Sequence, residues 1–256
     1  VRQTVAAVGV PMTYRLLTEG ASSPKLKKLA IELGYRSAVL YLAAADSAEP
    51  GGRTVCPWAK ANGCDGPCLD GAGRAGFDPR IPEARKRRTR LFWEHREWFM
   101  GSLEADLDVL QRRARAEGLR PVARLDGTSD LGLAARLHSQ WPGIMFYDYT
   151  KSIRRVKAWV ELAPANYHLT FSLGAANGRE ALWALRAGVN VAVPFDRASG
   201  LPDRFGLGEW ASTYEVLNGD EHDYRFLDPT PRIVGLLFKG TKRLRAKDTK
   251  GFVRGG

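Results

Sequence analysis

The sequence has no apolar run approaching the roughly 20 residues that a helix needs to cross a bilayer. Its longest, Ala38 to Ala45, is the length of a strand. No basic-then-apolar signal pattern opens the chain, which begins with Val1, so the expectation is a cytoplasmic protein with no membrane partner. There is no Gly-x4-Gly-Lys-Ser/Thr loop, no Gly-x-Ser-x-Gly elbow and no His-Glu-x-x-His pair. Three common routes are therefore set aside: P-loop nucleotide hydrolysis, α/β-hydrolase chemistry and zinc proteolysis. No internal repeat is present. Histidine is scarce, with four residues, and cysteine scarcer, with three. An odd number of cysteines in one short segment is a poor disulfide framework and a natural metal site.

What the chain does have is length, charge and rhythm. Its 256 residues, 44% hydrophobic and 26% charged, suffice for a sizeable core, and a single α/β domain over residues 1–256 is expected. Thirty-nine basic against 28 acidic residues give a net charge of +11, which favours an anionic partner, most often nucleic acid. The charge is uneven. Arg85, Lys86, Arg87, Arg88 and Arg90 form a dense run, and residues 240–256, with Lys239 just before them, form a basic tail. Arg85, Arg87 and Arg88 are expected phosphate contacts, and the tail is expected to lie exposed along a phosphate backbone. A solvated basic surface accounts for the same residues without a partner.

The apolar pattern alternates short strands with helices. Strands are expected at Val39–Ala44, Val122–Leu125, Gly143–Tyr147, Tyr167–Phe171, Val189–Val193 and Arg232–Leu237. Between the first two, Leu91, Trp98, Phe99, Leu103, Leu107 and Leu110 recur at helical spacing, predicting a long, once- or twice-broken helical region over Ile81–Glu117. A helix is also expected at Gly178–Ala187, stopped by Gly188. Strands separated by helices predict a parallel sheet. Six strands fall short of a full eight-stranded barrel, so a partial or irregular (β/α) barrel is expected, with a doubly wound sheet as the alternative.

Cys56, Cys64 and Cys68 stand at Cys-x7-Cys-x3-Cys spacing in a loop after an early strand, within a metal-binding segment 46–80. Gly63, Gly66 and Pro67 permit the tight turns that bring thiolates together. Thiolates bind both iron–sulfur clusters and structural zinc. Three of them would leave one iron of a [4Fe–4S] cluster open. Zinc would need a fourth ligand, and no histidine follows Cys68 at finger-like spacing. A [4Fe–4S] cluster is therefore the expected cofactor and zinc the alternative.

In parallel sheets functional groups gather at the carboxyl ends of strands. That rule makes Arg124, Asp126, Asp130, Asp148 and Lys151 candidate catalytic residues, and Tyr149, Ser172 and Lys239 candidate binding residues. Asp126-Gly127 is also a good turn. Tyr147-Asp148-Tyr149 could stack on and hydrogen-bond a base, or simply alternate between core and surface. Asp220, His222 and Asp223 could hold a divalent ion or form a solvated turn, and Arg225 and Asp228 an internal ion pair.

Several stretches together resemble the bacteriophage "gene product 88" family. They are the Cys-Pro-x-Ala…Gly-Cys…Cys-Leu…Ala-Gly-Arg segment (Cys56 to Arg74), Arg124-Leu-Asp-Gly-Thr-Ser-Asp130 and Phe146-Tyr-Asp-Tyr-Thr-Lys151. Asn166-Tyr-His-Leu-Thr-Phe-Ser172, Asn190-Val-Ala-Val193, Gly219-Asp220…Asp228-Pro229, Ile233-Val-Gly-Leu236 with Lys239-Gly240, and Gly251-Phe252 complete the set. The resemblance runs from about Leu17 to the C-terminus and implies a phage, prophage or plasmid protein acting in the bacterial cytoplasm. More distantly, a three-cysteine loop after the first strand is similar to radical S-adenosylmethionine barrels. Those carry Cys-x3-Cys-x2-Cys with an aromatic residue before the last cysteine. Here Pro67 holds that place, Leu69 follows, and no Gly-Gly-Glu-Pro-type strand end is present. S-adenosylmethionine is accordingly a doubtful ligand on sequence grounds.

Overall fold

The computed structural model describes residues 14–20, 32–68, 73–208 and 212–255. Leu69 and the rest of 69–72, within the expected metal-binding segment, lie outside the described residues, as does Gly256 of the tail.

Five of the six expected strands form near their expected places, and the first, expected at Val39–Ala44, forms earlier, with residues 41–44 outside it. β2 (Tyr35–Leu40), β3 (Arg120–Arg124), β4 (Met145–Thr150), β5 (Tyr167–Ser172), β6 (Val191–Phe195) and β9 (Ile233–Leu237) lie side by side in that order, each parallel to the next. Three more strands were not legible in the sequence. β1 (Leu17–Glu19) pairs antiparallel with β2 at one edge. β8 (Thr213–Asn218) runs parallel to β9, and β7 (Arg204–Gly206) pairs antiparallel with β8 at the other edge. β1 and β7 do not meet, so the nine strands make an open sheet. This corrects the expected barrel: the sheet does not close. The open sheet is nearer the alternative expectation, although its first six parallel strands follow chain order and the winding reverses only between β8 and β9.

The helices fall between successive strands: α1 (Arg80–Glu94) and α2 (Arg96–Ala116) before β3, α3 (Leu133–Leu137) before β4, α4 (Ile153–Leu162) before β5, and α5 (Gly178–Arg186) before β6. The expected long helical region is thus two helices, broken at His95. Right-handed crossovers between strands laid down in one direction put their helices on one face of the sheet. The main core lies there. Phe99, Leu103, Leu107 and Leu110 of α2 are fully or nearly fully buried with Ala38, Leu40, Ala123 and Leu125, each large side chain contributing about 1.5–3 kcal/mol over exposure. Gly118, at φ +67°, ends α2, and Leu119 N donates to Ala114 O.

The return from β8 to β9 runs the other way across the sheet, so a right-handed crossover belongs on the opposite face. Its aromatics are found there. Tyr224 and Phe226 pack on Tyr35, Val39, Val122, Met145 and Tyr147 in a second, smaller core. This aromatic plug covers the lower part of the inner face. The carboxyl ends of the strands above it stay open.

The basic tail is anchored. A four-residue helix α6 (Lys242–Arg245) is capped by Thr241, and Arg254 then joins the end of β6, donating to Pro194 O at 2.8 Å and accepting from Asp196 N at 2.7 Å. The tail therefore does not trail along the surface as expected, although Arg243, Lys247 and Lys250 remain exposed. The basic run on α1 is likewise engaged. Arg85 lies over the Tyr41 ring at 5.0 Å and Arg87 over Tyr14 at 4.7 Å, and burial lowers the pKa of Arg88.

Candidate metal centre and adjoining cleft

The cysteine loop leaves β2 directly and is braced on three sides. Asp130 N, from the loop after β3, donates to Val55 O at 2.8 Å. Ala175 N, from the loop after β5, donates to Asn62 O at 3.0 Å, and Asn62 is buried. On the third side the C-terminal tail presses on the loop glycines. A Cβ on Gly66 would stand 2.6 Å from Lys247 O, and one on Gly63 2.7 Å from Lys250 Cβ. Gly63 also has φ +67°. Both glycines are thus explained by close approach as well as by turning.

So held, Cys56, Cys64 and Cys68 all line one cavity of about 190 Å³. None is in a disulfide. Cys56 Sγ donates to Thr128 O at 3.4 Å and Cys64 Sγ to Ala59 O at 3.8 Å. Burial raises the pKa of Cys56 and of Cys64; for Cys56 the neighbouring Cys68 and Cys64 add to the rise, and for Cys64 the Lys151 ammonium opposes it. Without a metal the pocket favours neutral thiols, and a metal would have to displace their protons.

Lys151 lies in the same cavity. Its Nζ donates to Ser172 Oγ at 2.7 Å, Leu173 O at 3.1 Å and Ser172 O at 3.3 Å, and it sits 4.9 Å from the Phe252 ring centre. Burial lowers its pKa, while the thiols and Asp130 hold it up. Among the described residues no three Cys, His, Asp or Glu side chains converge closely enough to hold a single metal ion. Four thiolates around zinc at 2.3 Å would lie only about 3.8 Å apart, whereas a cluster takes its thiolates on separate irons, further apart. The donor set here, three thiols lining one cavity, is of the chemical type that binds iron–sulfur clusters and zinc alike.

A second cavity, of about 250 Å³, opens over the inner face and shares Tyr149, Ser172 and Phe252 with the first. Arg124, Lys239, Asp220 and Asp223 line it. Arg124 lies over the Tyr149 ring at 4.6 Å. Lys239 pairs with Asp220 at 2.6 Å, and Asp220 also accepts from Leu237 N. Arg225 is buried and pairs with Asp228 at 3.2 Å, as the sequence suggested, while His222 lies 3.4 Å from Asp228. That acidic segment is consumed by internal pairing.

The sequence-derived candidates therefore divide. Cys56, Cys64, Cys68, Asp130 and Lys151 meet at the first cavity, and Arg124, Lys239, Tyr149 and Ser172 at the second, the last two belonging to both. Asp126 and Asp148 are corrections. They are buried and turn toward the helix side, where Asp148 Oδ1 accepts from Asp126 N at 2.8 Å. Asp126 accepts from Ser129 Oγ, Leu131 N and Gly132 N and lies 3.5 Å from Arg155. Asp130 has both roles, because it also pairs with Arg155. Arg85, Arg87 and Arg88 line neither cavity. Tyr147 belongs to the aromatic plug and cannot stack on a base. Phe252 and Asn62 were missed as site residues, although Gly251-Phe252 is one of the family-like motifs. Arg155 left no signal in the sequence.

Comparison with known proteins yields one match. The family model described as "Gene product 88" covers residues 14–255. No curated protein and no solved structure matches the chain. No helix among the described residues is long and apolar enough to cross a membrane.

Proposed function

Since this chain belongs to the Gene product 88 family, a phage protein family, we propose that it is an iron–sulfur enzyme of phage or mobile-element origin working in the bacterial cytoplasm. In this reading Cys56, Cys64 and Cys68 hold a [4Fe–4S] cluster in the first cavity, and the inner-face cavity receives the substrate. One observation supports it: the three thiols, none of them in a disulfide, line a cavity that continues, past Tyr149 and Ser172, into a second one over the inner face. A three-cysteine cluster has one iron without a protein thiolate, which supplies a place to bind and reduce a ligand by one electron. The wider likeness to radical S-adenosylmethionine barrels gains support from the chain-order winding of the six parallel strands and from the loop's position straight after β2. Lys151 offers a hydrogen-bonded amino group beside the thiols, and Phe252 of the tail lines the same cavity.

The test is metal and sulfide content with a visible spectrum on protein purified without air. Expected are iron, sulfide and a broad band near about 400 nm, all lost in Cys64→Ala. Reduced protein then cleaves S-adenosylmethionine if the barrel likeness extends to chemistry. Iron-free protein from an air-free preparation would sink the reading, and one equivalent of colourless zinc would replace the cluster with a structural ion.

Nucleic acid is a second proposed partner, supported by the net charge of +11 and by the exposed Arg87, Arg90, Arg243 and Lys247. Binding that weakens steeply with salt is its signature.

A further inference from the structure

The inner-face cavity holds a cation that the fold does not neutralise. Arg155 is paired with Asp130, Arg225 with Asp228, and Arg254 donates to Gly174 O. Arg124 differs. Its Nε is shut away from solvent and has no acceptor, and its guanidinium makes no hydrogen bond or ion pair with any described residue, only the ring contact with Tyr149. The nearest candidates for a counter-charge are committed elsewhere. Asp148 faces the other side of the sheet, and Asp220 is held by Lys239 and Leu237 N. The residue is half-buried, with only Nε shut off, and its planar fork of donors suits a carboxylate or phosphate.

We propose that this cavity binds a small molecule carrying one oxyanion group, a carboxylate or a phosphate, seated on the Arg124 guanidinium. Tyr149 forms the flat wall beside it. Because Asp223 and Asp220 stand there too, a polyanion is disfavoured. The size of about 250 Å³ and the aromatic plug below suit a small molecule rather than a chain running through. This deepens the functional reading above by naming the ligand class of the second cavity. It depends on that reading for where the chemistry lies and not for the binding itself.

The experiment is calorimetric titration of the purified protein with inorganic phosphate and, separately, acetate, at ionic strength fixed with chloride. Wild type, Cys64→Ala, Arg124→Met, Arg124→Lys and the surface control Arg87→Ala are compared. Wild type, Cys64→Ala and Arg87→Ala are expected to bind one of the two anions alike, and the preferred anion identifies the group. Arg124→Met weakens that binding about tenfold or more and melts near the wild-type temperature, because the guanidinium makes no hydrogen bond or ion pair to lose. Arg124→Lys keeps the charge, loses the fork and binds more weakly than wild type. The proposal is overturned if wild type binds neither anion, or if Arg124→Met binds as well as wild type. It also falls if both Arg124 variants fail to fold, which would make the arginine structural. Displacement of phosphate by a single-stranded oligonucleotide, dependent on Arg124, would overturn it in favour of a polynucleotide groove. Anion binding by iron-free protein would leave this inference standing without the cluster, and iron without anion binding the reverse.

Discussion

Asp148 and Tyr149 are neighbours on β4, and their side chains lie on opposite sides of the sheet. Under the helices, Asp148, Asp126, Asp130 and Arg155 form a buried polar cluster that binds the loop after β3 to α4. Across the sheet, Arg124, Tyr149 and Ser172 face a cavity, and Arg124 has no acceptor among the described residues. Both sets stand at the carboxyl ends of strands. The rule that such ends carry function does not distinguish them, but the period-two alternation of a strand does. The carboxylates and the arginine on the helix side are tied to one another and hold the frame, and Arg124 on the inner side faces the cavity with no acceptor.

The largest test of that division is Asp126→Ala. It strips acceptors from Ser129 Oγ, Leu131 N and Gly132 N and leaves Arg155 with less counter-charge. Breaking such a buried charged network costs about 3–5 kcal/mol, which urea denaturation would register as a much lower midpoint. Tyr149→Ala, on the other side of the sheet, should lose far less. Comparable losses at both positions would erase the distinction between frame and site.

A middle-sized test concerns the contact between the tail and the cysteine loop. A methyl group on Gly66 meets Lys247 O, so Gly66→Ala must push the tail away from the cysteine loop, at a cost of about 1–3 kcal/mol. The expected consequence is a faster loss of iron in air than in wild type. Equal retention would mean that the tail merely rests on the loop. Gly101→Ala is the matched control, because a Cβ there meets nothing.

These tests also show which features the sequence could and could not disclose. The six parallel strands were legible because each is a short apolar run with a β-branched or aromatic bias, fenced by glycine or polar residues. β1, β7 and β8 were not, because strands of three to six residues at or next to an edge, with mixed burial, lack a clean period. Sheet closure is set by strand tilt and by what covers each face, and here Tyr224 and Phe226 fill the inner side from a loop that no periodicity marks. The cysteines were legible from residue type and spacing alone. The sorting of Arg124 from Asp126 was not, since β3 ends at Arg124 and the chain then bends Asp126 toward the helix side. The tail misled through its charge: its backbone and Arg254 are pinned by hydrogen bonds that composition does not reveal.

The smallest and most discriminating effect lies at Asp148. Its carboxyl is wholly buried, Oδ1 accepts from Asp126 N, and Oδ2 has no hydrogen-bond partner among the described residues. Burial, and after it the nearby Asp126 carboxylate, pushes its pKa well above the usual range, with Arg155 opposing. The folded protein then binds this proton more tightly than the unfolded chain, whose aspartate titrates near about 3.9. The stability this group contributes is complete below that pH and declines as pH rises toward the folded value. The amide introduced by Asp148→Asn cannot ionise, yet it keeps an acceptor for Asp126 N and offers donors toward the Asp126 carboxylate. The variant should therefore match wild type in acid and gain on it as pH rises. Urea denaturation at a series of pH values reads this directly. Because the change is confined to the helix side, iron content and phosphate binding should stay at wild-type levels. A gap that narrows with rising pH would mean that Asp148 is ionised in the fold, and a loss of iron would mean that the sheet does not insulate its two faces.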